Sequence, residues 1–179
     1  MEFKINSSDL VKALSHINGI VEVRHALPIL SNIILKAANN ELALSSTNLD
    51  IYCSDIINAE VINSGEISVP AVTFFEIIKR LPTGSDVLIT KDVSENEVIL
   101  KCGRSKFNLS TLQTDDFPII SDSDLSTSFV LSADELKRMI DKTKFAISNE
   151  ETRYYLNGIF LHKAERNGIT FLRAVATDG

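Results

Sequence analysis

Three adjacent side chains, Arg153, Tyr154 and Tyr155, combine a guanidinium with two aromatic hydroxyls. A guanidinium pairs with a phosphate through parallel hydrogen bonds, and a tyrosine ring stacks on a base or binds a phosphate through its hydroxyl. A tyrosine at the start of a strand also packs well in a protein core, and we expect one of the two to do so. Glu150 would repel a phosphate and therefore counts against this site.

No set of side chains in the sequence has the spacing of a catalytic or metal-binding site. The three histidines, His16, His25 and His162, are scattered and form no catalytic constellation with a cysteine or serine. The 7 glycines form no phosphate-binding loop. The acidic residues between 115 and 124 are better explained as a solvated connector. The sequence therefore predicts a protein that is not an enzyme and that needs no cofactor and no metal.

Composition indicates an ordinary globular protein with an acidic balance. The 179 residues include 18 Lys and Arg against 24 Asp and Glu, which gives a formal net charge of −6. Such a protein does not bind nucleic acid through its whole surface. Cys53 and Cys102 lie in apolar, strand-like runs, and the first residues have no signal-peptide pattern. We therefore expect reduced thiols in a cytoplasmic protein.

The strongest pattern is an internal repeat. The segment that begins at Phe3 resembles the segment that begins at Phe129, 126 residues later, in its aromatic, aliphatic, acidic and basic positions. After one small insertion the correspondence continues to Thr47 and Thr177. Each copy should begin with a short strand and a capped helix.

Apolar periodicity predicts an α+β fold in which helices pack on antiparallel sheet. In the first copy we expect helices over 7–18 and 70–81, and strands over 2–5, 29–37, 41–46, 51–57, 66–69, 86–90, 97–102 and 106–112. The second copy should open with a strand over 128–131 and a helix over 132–147. Turns are expected at 39–40 and at 94–96.

The repeat also predicts the domain organisation. Residues 1–120 form a first domain, 121–127 a connector and 128–179 the N-terminal part of a second domain. The second copy matches only the first part of the first copy. We therefore expect the sequence to be a fragment of a longer protein.

Several short motifs together resemble the family of the bacterial DNA polymerase III beta subunit, the replicative sliding clamp. They follow the family's order along the whole chain, and they are Leu27-Pro28-Ile29-Leu30 with Asn32, Phe74-Phe75, Gly103-Arg104-Ser105 with Phe107, Ser110-Thr111-Leu112, Asp116-Phe117-Pro118, Arg153 to Gly158 and Ala176 to Gly179. The resemblance implies the DNA-clamp fold with three such domains per chain. It also implies a head-to-tail dimer that closes a ring around duplex DNA and tethers the polymerase, without sequence preference.

The resemblance implies two groups of DNA-facing residues. Helices line the ring, which places six cations toward DNA: Lys12, Lys79, Arg80, Lys137, Arg138 and Lys142. Arg24 and the Arg153–Tyr155 segment would contact DNA at the ring face. The three predicted helices carry net charges of 0, +1 and +1, so the rest of the chain carries −8. This distribution suits a basic lining, although mixed charge on any solvated helix gives the same pattern.

The resemblance also implies two protein-binding surfaces. Leu156, Thr177 and Gly179 match positions of an apolar pocket that receives extended peptide motifs of the polymerase and the clamp loader. The last strand of the first copy would pair with the third domain of the partner subunit through four residues: Arg104, Lys106, Phe107 and Leu109. A core leucine and an ordinary edge strand protected by bases are the simpler explanations.

Two other functions are compatible with the residues. The first is an α+β enzyme that dimerises through its sheet, which the lack of a nucleophile or acid–base set disfavours. The second is a stand-alone interaction domain built from an incomplete repeat, and the length of the open reading frame distinguishes it from a fragment.

Overall fold

Alternating apolar residues form two antiparallel sheets in the first of the two compact units, 1–121 and 122–179. The computed structural model describes residues 1–21, 26–91, 96–118 and 129–179. The helices of the first unit are α1 (Ser7–Ile17) and α2 (Ala71–Lys79). Its strands are β1 (Glu2–Asn6), β2 (Asn32–Ala38), β3 (Glu41–Thr47), β4 (Tyr52–Asn58), β5 (Glu60–Asn63), β6 (Gly65–Pro70), β7 (Asp86–Lys91), β8 (Glu97–Cys102) and β9 (Ser105–Ser110).

The two sheets of the first unit have the strand orders β5-β1-β7-β8-β9 and β4-β3-β2-β6. All of their strand pairs are antiparallel. Short 3-10 turns lie at Pro28–Ser31, before β2, and at Thr114–Asp116, after β9. The α+β class predicted from the sequence is therefore confirmed.

One apolar core joins both helices to both sheets. The predicted stripe of α1 is fully buried and consists of Leu10, Ala13, Leu14 and Ile17. Phe3 from β1 and Phe74 from α2 are also completely buried in this core. Burial of large apolar side chains is the main stabilising contribution here, at roughly 1.5–3 kcal/mol for each one. The opposite faces of the two helices are left to carry charge.

Strand β5 was missed by the sequence prediction, which placed no strand between 57 and 66. It pairs with β1, with Val61 opposite Phe3 and Glu60 opposite Lys4. The strand has only four residues, and Val61 alone packs against the core. So short a segment has no clear alternation, and its position is determined by pairing with β1.

The predicted strand over 106–112 ends early, because Leu112 leaves the ladder to bind Ser68 of β6. The buried Ser68 hydroxyl donates to Leu112 O at 2.8 Å and accepts from Leu112 N at 2.8 Å. It also accepts from Asn32 Nδ2 at 3.1 Å. This hydroxyl therefore links the end of one sheet to the edge strand of the other.

Replacing this hydroxyl should destabilise the first unit. Ser68→Ala leaves the Leu112 peptide and the Asn32 amide without their shared partner, and we expect it to lower the free energy of unfolding by about 2–3 kcal/mol. Urea unfolding followed by circular dichroism measures the change. Ser54→Ala, on an exposed strand position, is the control and should change stability by less than about 0.5 kcal/mol. Equal effects of the two substitutions would contradict this role of Ser68.

The second unit contains α3 (Ala133–Thr143) and the hairpin of β10 (Phe160–Arg166) and β11 (Ile169–Val175). Short 3-10 turns lie at Lys144–Ala146 and Glu151–Leu156. The predicted helix cap is confirmed and has the form of a capping box, since Ser132 Oγ accepts from Glu135 N and the Glu135 carboxylate accepts from Ser132 N. The α-helix ends at Thr143 rather than 147, where the Thr143 hydroxyl donates to Met139 O at 2.8 Å.

The strand predicted over 128–131 was wrong for 129–131, and Ser128 lies outside the described residues. In the first unit the corresponding strand β1 is held between β5 and β7. No described strand of the second unit corresponds to either partner, and Val130 is fully exposed. A strand pattern without pairing partners stays irregular.

The described part of the second unit builds no apolar core. Ser148 is its only buried residue. Its exposed large apolar side chains are Phe129, Val130, Leu136, Ile140, Phe145, Tyr154, Tyr155, Phe160, Leu161, Ile169 and Val175. The apolar stripe of α3 therefore faces solvent, unlike the equivalent stripe of α1.

Other local predictions are confirmed where they can be checked. Asn39 and Asn40 form the turn between β2 and β3, with φ of 53° and 60°. Cys53 and Cys102 are free thiols. Part of the turn predicted at 94–96 and the connector predicted over 121–127 lie outside the described residues.

No helix in the described ranges is long and apolar enough to span a membrane.

Candidate nucleic-acid interface and sheet edge

The predicted cations of α1 and α2 lie on exposed helix faces, and each has a local partner. Lys12 lies 3.8 Å from the Asp9 carboxylate, and Arg80 lies 3.3 Å from the Glu76 carboxylate. Lys79 Nζ lies 5.7 Å from the centre of the Phe75 ring. Surface pairs of this kind contribute little stability, so a phosphate can replace the carboxylate at small cost.

Hydrogen bonds hold α1 against the loop that follows α2. Ser7 N donates to Ser85 O at 2.8 Å, and Ser7 Oγ donates to Pro82 O at 2.9 Å. Gly84 N donates to Ser8 Oγ at 3.0 Å. The two helices also contact each other directly. Their exposed cations therefore stand at fixed positions within the first unit.

The cations of helix α3 fall into two groups according to whether they bind Asp141. Asp141 accepts hydrogen bonds from Lys137 and from Lys144, the latter at 2.7 Å. Arg138 and Lys142 lie one helical turn apart on an exposed face, and within 129–179 neither forms an ion pair. Of the cations predicted on this helix, these two are the most available to a phosphate.

The Asp141 network predicts a pH dependence of α3. Hydrogen bonds from Lys137 and Lys144 lower the pKa of Asp141 from 3.8 to about 2. Because the folded-state pKa is depressed, the stabilisation is complete above pH 3.8 and is lost as the pH falls towards 2. An NMR titration of the Asp141 carboxyl carbon should give a midpoint near 2. In the Lys137→Ala/Lys144→Ala variant the midpoint should return towards 3.8, and an ordinary midpoint in the unaltered chain would contradict the network.

The segment 148–156 forms a closed loop that presents the two tyrosines. Ser148 N donates to Leu156 O at 3.1 Å and closes the loop. Tyr154 is 78% exposed and Tyr155 is 70% exposed, with ring centres 6.0 Å apart in an edge-to-face arrangement. Within the described part of the second unit neither tyrosine is buried, so the packing of one of them in a core stays a prediction.

Glu150 and Arg153 of this loop pair side chain to side chain. Arg153 Nε donates to Glu150 Oε2 at 2.8 Å, and Nη2 donates to Oε1 at 2.6 Å. The hydrogen bonds from the guanidinium lower the pKa of Glu150, and those to the carboxylate raise the pKa of Arg153. Glu150 therefore neutralises Arg153 directly, in addition to repelling phosphate. Arg24, the other predicted ring-face cation, lies outside the described residues.

The predicted pocket residues lie at the ends of local turns. Leu156 is half-buried at the end of the 3-10 turn, and Thr177 Oγ1 accepts from Gly179 N at 3.2 Å. Thr47 of the first copy makes the equivalent bond to Leu49 N at 3.1 Å. A Cβ atom at residue 179 would lie 2.5 Å from Arg153 Nη1. The structure thus brings Gly179 beside Arg153, which the sequence assigned to a different site.

Strand β9 is the last strand of its sheet in the described residues, and its register determines which peptide groups are open. Thr111 N donates to Asn96 O at 2.9 Å across the ladder with β8. Hydrogen-bonded pairs alternate along an antiparallel ladder, so Phe107 and Leu109 also direct their peptide groups toward β8. The open edge is formed by the peptide groups of Lys106, Asn108 and Ser110.

The side chains predicted for the subunit interface fall into two classes. Leu109 is buried in the core of the first unit, and Phe107 packs half-buried against that core. Arg104 and Lys106 are exposed. A partner strand would therefore meet neither the buried Leu109 side chain nor its peptide groups, which are directed toward β8. Asn108 was missed as an edge residue, although the two-residue turn before β9 specifies this alternation.

The described ranges contain no group of three or more His, Cys, Asp or Glu side chains placed to hold a metal ion. The first unit presents exposed cations and an open sheet edge, and the second unit presents exposed cations and an aromatic pair. Antiparallel sheets backed by helices, followed by a second copy of the opening sequence pattern, indicate a protein built from repeated domains.

The chain belongs to the DNA polymerase III beta subunit family. Residues 1–121 match the family's N-terminal domain, and residues 130–179 match its central domain. Curated relatives include the beta sliding clamp of Caulobacter vibrioides, 45% identical over 179 residues, and that of Pseudomonas aeruginosa, 42% identical over 180 residues. All of this chain is covered in both comparisons, but only 48% and 47% of the relatives. The chain thus spans about half the length of these relatives.

Solved structures confirm the clamp fold. The Caulobacter crescentus pol III beta structure matches with a TM-score of 0.93 at 45% identity, covering 100% of this chain and 48% of that one. The Pseudomonas aeruginosa DNA polymerase III beta subunit matches with a TM-score of 0.90 at 38% identity, covering 100% and 47%. The resemblance drawn from short sequence motifs is therefore correct at the level of family and fold.

Proposed function

We propose that this chain is part of a sliding clamp that encircles duplex DNA and tethers the replicative DNA polymerase. The observation that carries the proposal is the placement of cations on exposed helix faces of an otherwise acidic protein. Relatives that are named beta sliding clamps support it. The role is that of a non-catalytic processivity factor in the cytoplasm, with no cofactor or metal.

The arrangement of charge suits a protein that slides. Phosphate contacts carry no sequence information, and their strength falls with salt as counterions return to the DNA. Most of the helix cations already have a carboxylate or a ring as partner, as Lys12, Lys79 and Arg80 do. Each contact with DNA is therefore weak and easily exchanged, which permits movement along the duplex.

Ring closure would use the open edge of β9. We propose that the full-length protein forms a head-to-tail dimer in which the partner's strand pairs with the peptide groups of Lys106, Asn108 and Ser110. Exposed Arg104 and Lys106 favour an acidic partner strand. Residues 1–120, 121–127 and 128–179 would be the first domain, the connector and the beginning of the second domain.

Binding of polymerase and clamp-loader motifs would use a pocket to which Leu156, Thr177 and Gly179 contribute. An apolar groove of this kind receives the leucine or phenylalanine side chains of an extended peptide. The described residues supply only part of such a wall, so we expect this chain alone to bind the motifs poorly.

Equilibrium binding to two duplexes of equal length and unrelated sequence tests the DNA-binding part of the proposal. The association constants should agree within about twofold. Their logarithm should fall linearly with the logarithm of salt concentration, with a slope of about −0.9 for each phosphate contact. Binding that depends on sequence or is independent of salt, or no binding to either duplex, would contradict the proposal.

A further inference from the structure

The Glu150 carboxylate occupies one of the two paired N–H faces of the Arg153 guanidinium. Two of its three nitrogens donate to the Glu150 carboxylate, and the third lies beside the Gly179 backbone. A planar guanidinium recognises a phosphate best through two parallel N–H groups on one side. Glu150 occupies one such pair, the Nε and Nη2 groups.

The loop holds this pair in place. Glu150 N donates to Ser148 Oγ at 3.1 Å, and Arg153 N donates to Glu150 O at 3.3 Å. Ser148 is itself buried and bonded to Leu156 O at 3.1 Å. The carboxylate and the guanidinium are therefore presented to each other by a short backbone turn that is bonded at both ends.

The two tyrosine side chains, unlike the Arg153 guanidinium, are largely exposed to solvent. Tyr154 is 78% exposed and Tyr155 is 70% exposed, and the two rings lie edge to face. On duplex DNA, a tyrosine hydroxyl binds a phosphate oxygen without sequence preference and without adding a charge. The loop thus presents an aromatic surface next to a neutralised charge.

We infer that Glu150 is an affinity-limiting residue of the DNA contact, which holds Arg153 away from phosphate and leaves Tyr154 and Tyr155 as the main contact of this loop. The inference rests on the proposed function and specifies how this part of the surface meets DNA. Its effect is to keep the contact weak, as a sliding protein requires.

Glu150→Gln tests the inference in the 179-residue chain. The substitution keeps the size of the side chain but removes the charge that holds the guanidinium. We expect DNA binding at low salt to become about three- to tenfold tighter, and the slope of log K against log salt to steepen by about 0.9, the value for one added phosphate contact. Fluorescence anisotropy with a labelled duplex over a salt series measures both quantities.

Two controls separate release of Arg153 from a general change of charge. Glu151→Gln removes the same charge from the next residue, for which no ion pair is seen among residues 129–179, and it should change the slope little. In an Arg153→Gln background, Glu150→Gln should lose its effect. Equal effects of Glu150→Gln and Glu151→Gln, or an undiminished effect without Arg153, would overturn the inference.

The outcomes also distinguish this inference from the proposed function. Salt-dependent DNA binding by the unaltered chain, with no gain from Glu150→Gln, would overturn the inference and leave the clamp proposal standing. Absence of DNA binding in every variant would contradict the proposed function and the inference together.

Discussion

Replacing Arg138 and Lys142 together with glutamine is expected to weaken DNA binding about 10- to 50-fold at low salt. These two side chains project from one exposed face of α3 and form no ion pair within 129–179. Each should contribute one phosphate contact, so the slope of log K against log salt should become shallower by about 2. Fluorescence anisotropy over a salt series measures both changes.

The matched control removes the same charge from the β10–β11 hairpin. Lys163→Gln/Arg166→Gln deletes one lysine and one arginine from exposed positions of β10 in the same unit. If the helices form the DNA-facing surface, this variant should bind within about threefold of the unaltered chain. Equal losses in the two double variants would show that net charge, rather than the helix face, determines binding.

Replacing Asn108 with proline is expected to abolish dimerisation of the full-length protein while leaving the fold intact. The Asn108 N–H points away from β8 and makes no ladder bond, so an edge-strand proline is tolerated there. The substitution removes a donor for a partner strand and places a ring at the interface. We expect the dimer to be weakened at least about 100-fold, measured by light scattering over a concentration series.

Asn108→Ala is the control for this edge prediction. It removes the side chain and its 2.9 Å hydrogen bond to Glu97 but keeps the backbone N–H. The alanine variant should remain dimeric, and both variants should unfold at temperatures within a few degrees of the unaltered protein. A dimeric proline variant that keeps the fold would show that β9 is not the closing edge.

The helices of the first unit were predictable because their pattern is local and long. Leu10, Ala13, Leu14 and Ile17 repeat at helical spacing over about two turns, and the core buries all four. Strand β5 was not predictable in this way. Its four residues contribute one side chain to the core, and pairing with β1 places it.

In the second copy, a local sequence pattern alone was not sufficient to predict a strand. The residues at 129–131 repeat the pattern of β1, yet they form no strand because a strand needs partners that the described part of this unit does not supply. Sequence similarity between the two copies predicted the helix and its cap correctly. It could not predict a structure that depends on pairing with distant residues.

The residue types of the candidate site could be predicted from the sequence, but the ion pairs between its side chains could not. The sequence identified the cations and the tyrosines, and it suggested repulsion by Glu150. The structure shows that Glu150 binds Arg153, and that Asp141 binds Lys137 and Lys144. Helical spacing of three and four residues permits these pairs, but several alternative partners have the same spacing, so the coordinates were needed to choose among them.

Retention on circular DNA tests the clamp proposal most directly. The complete gene product is loaded by its clamp loader onto a nicked circular duplex, washed at high salt, and then measured before and after the circle is cut once. A topological ring should stay on the intact circle at salt concentrations that abolish phosphate contacts, and should be lost from the cut DNA. Equal release from intact and cut DNA would contradict the proposal that this protein encircles the duplex.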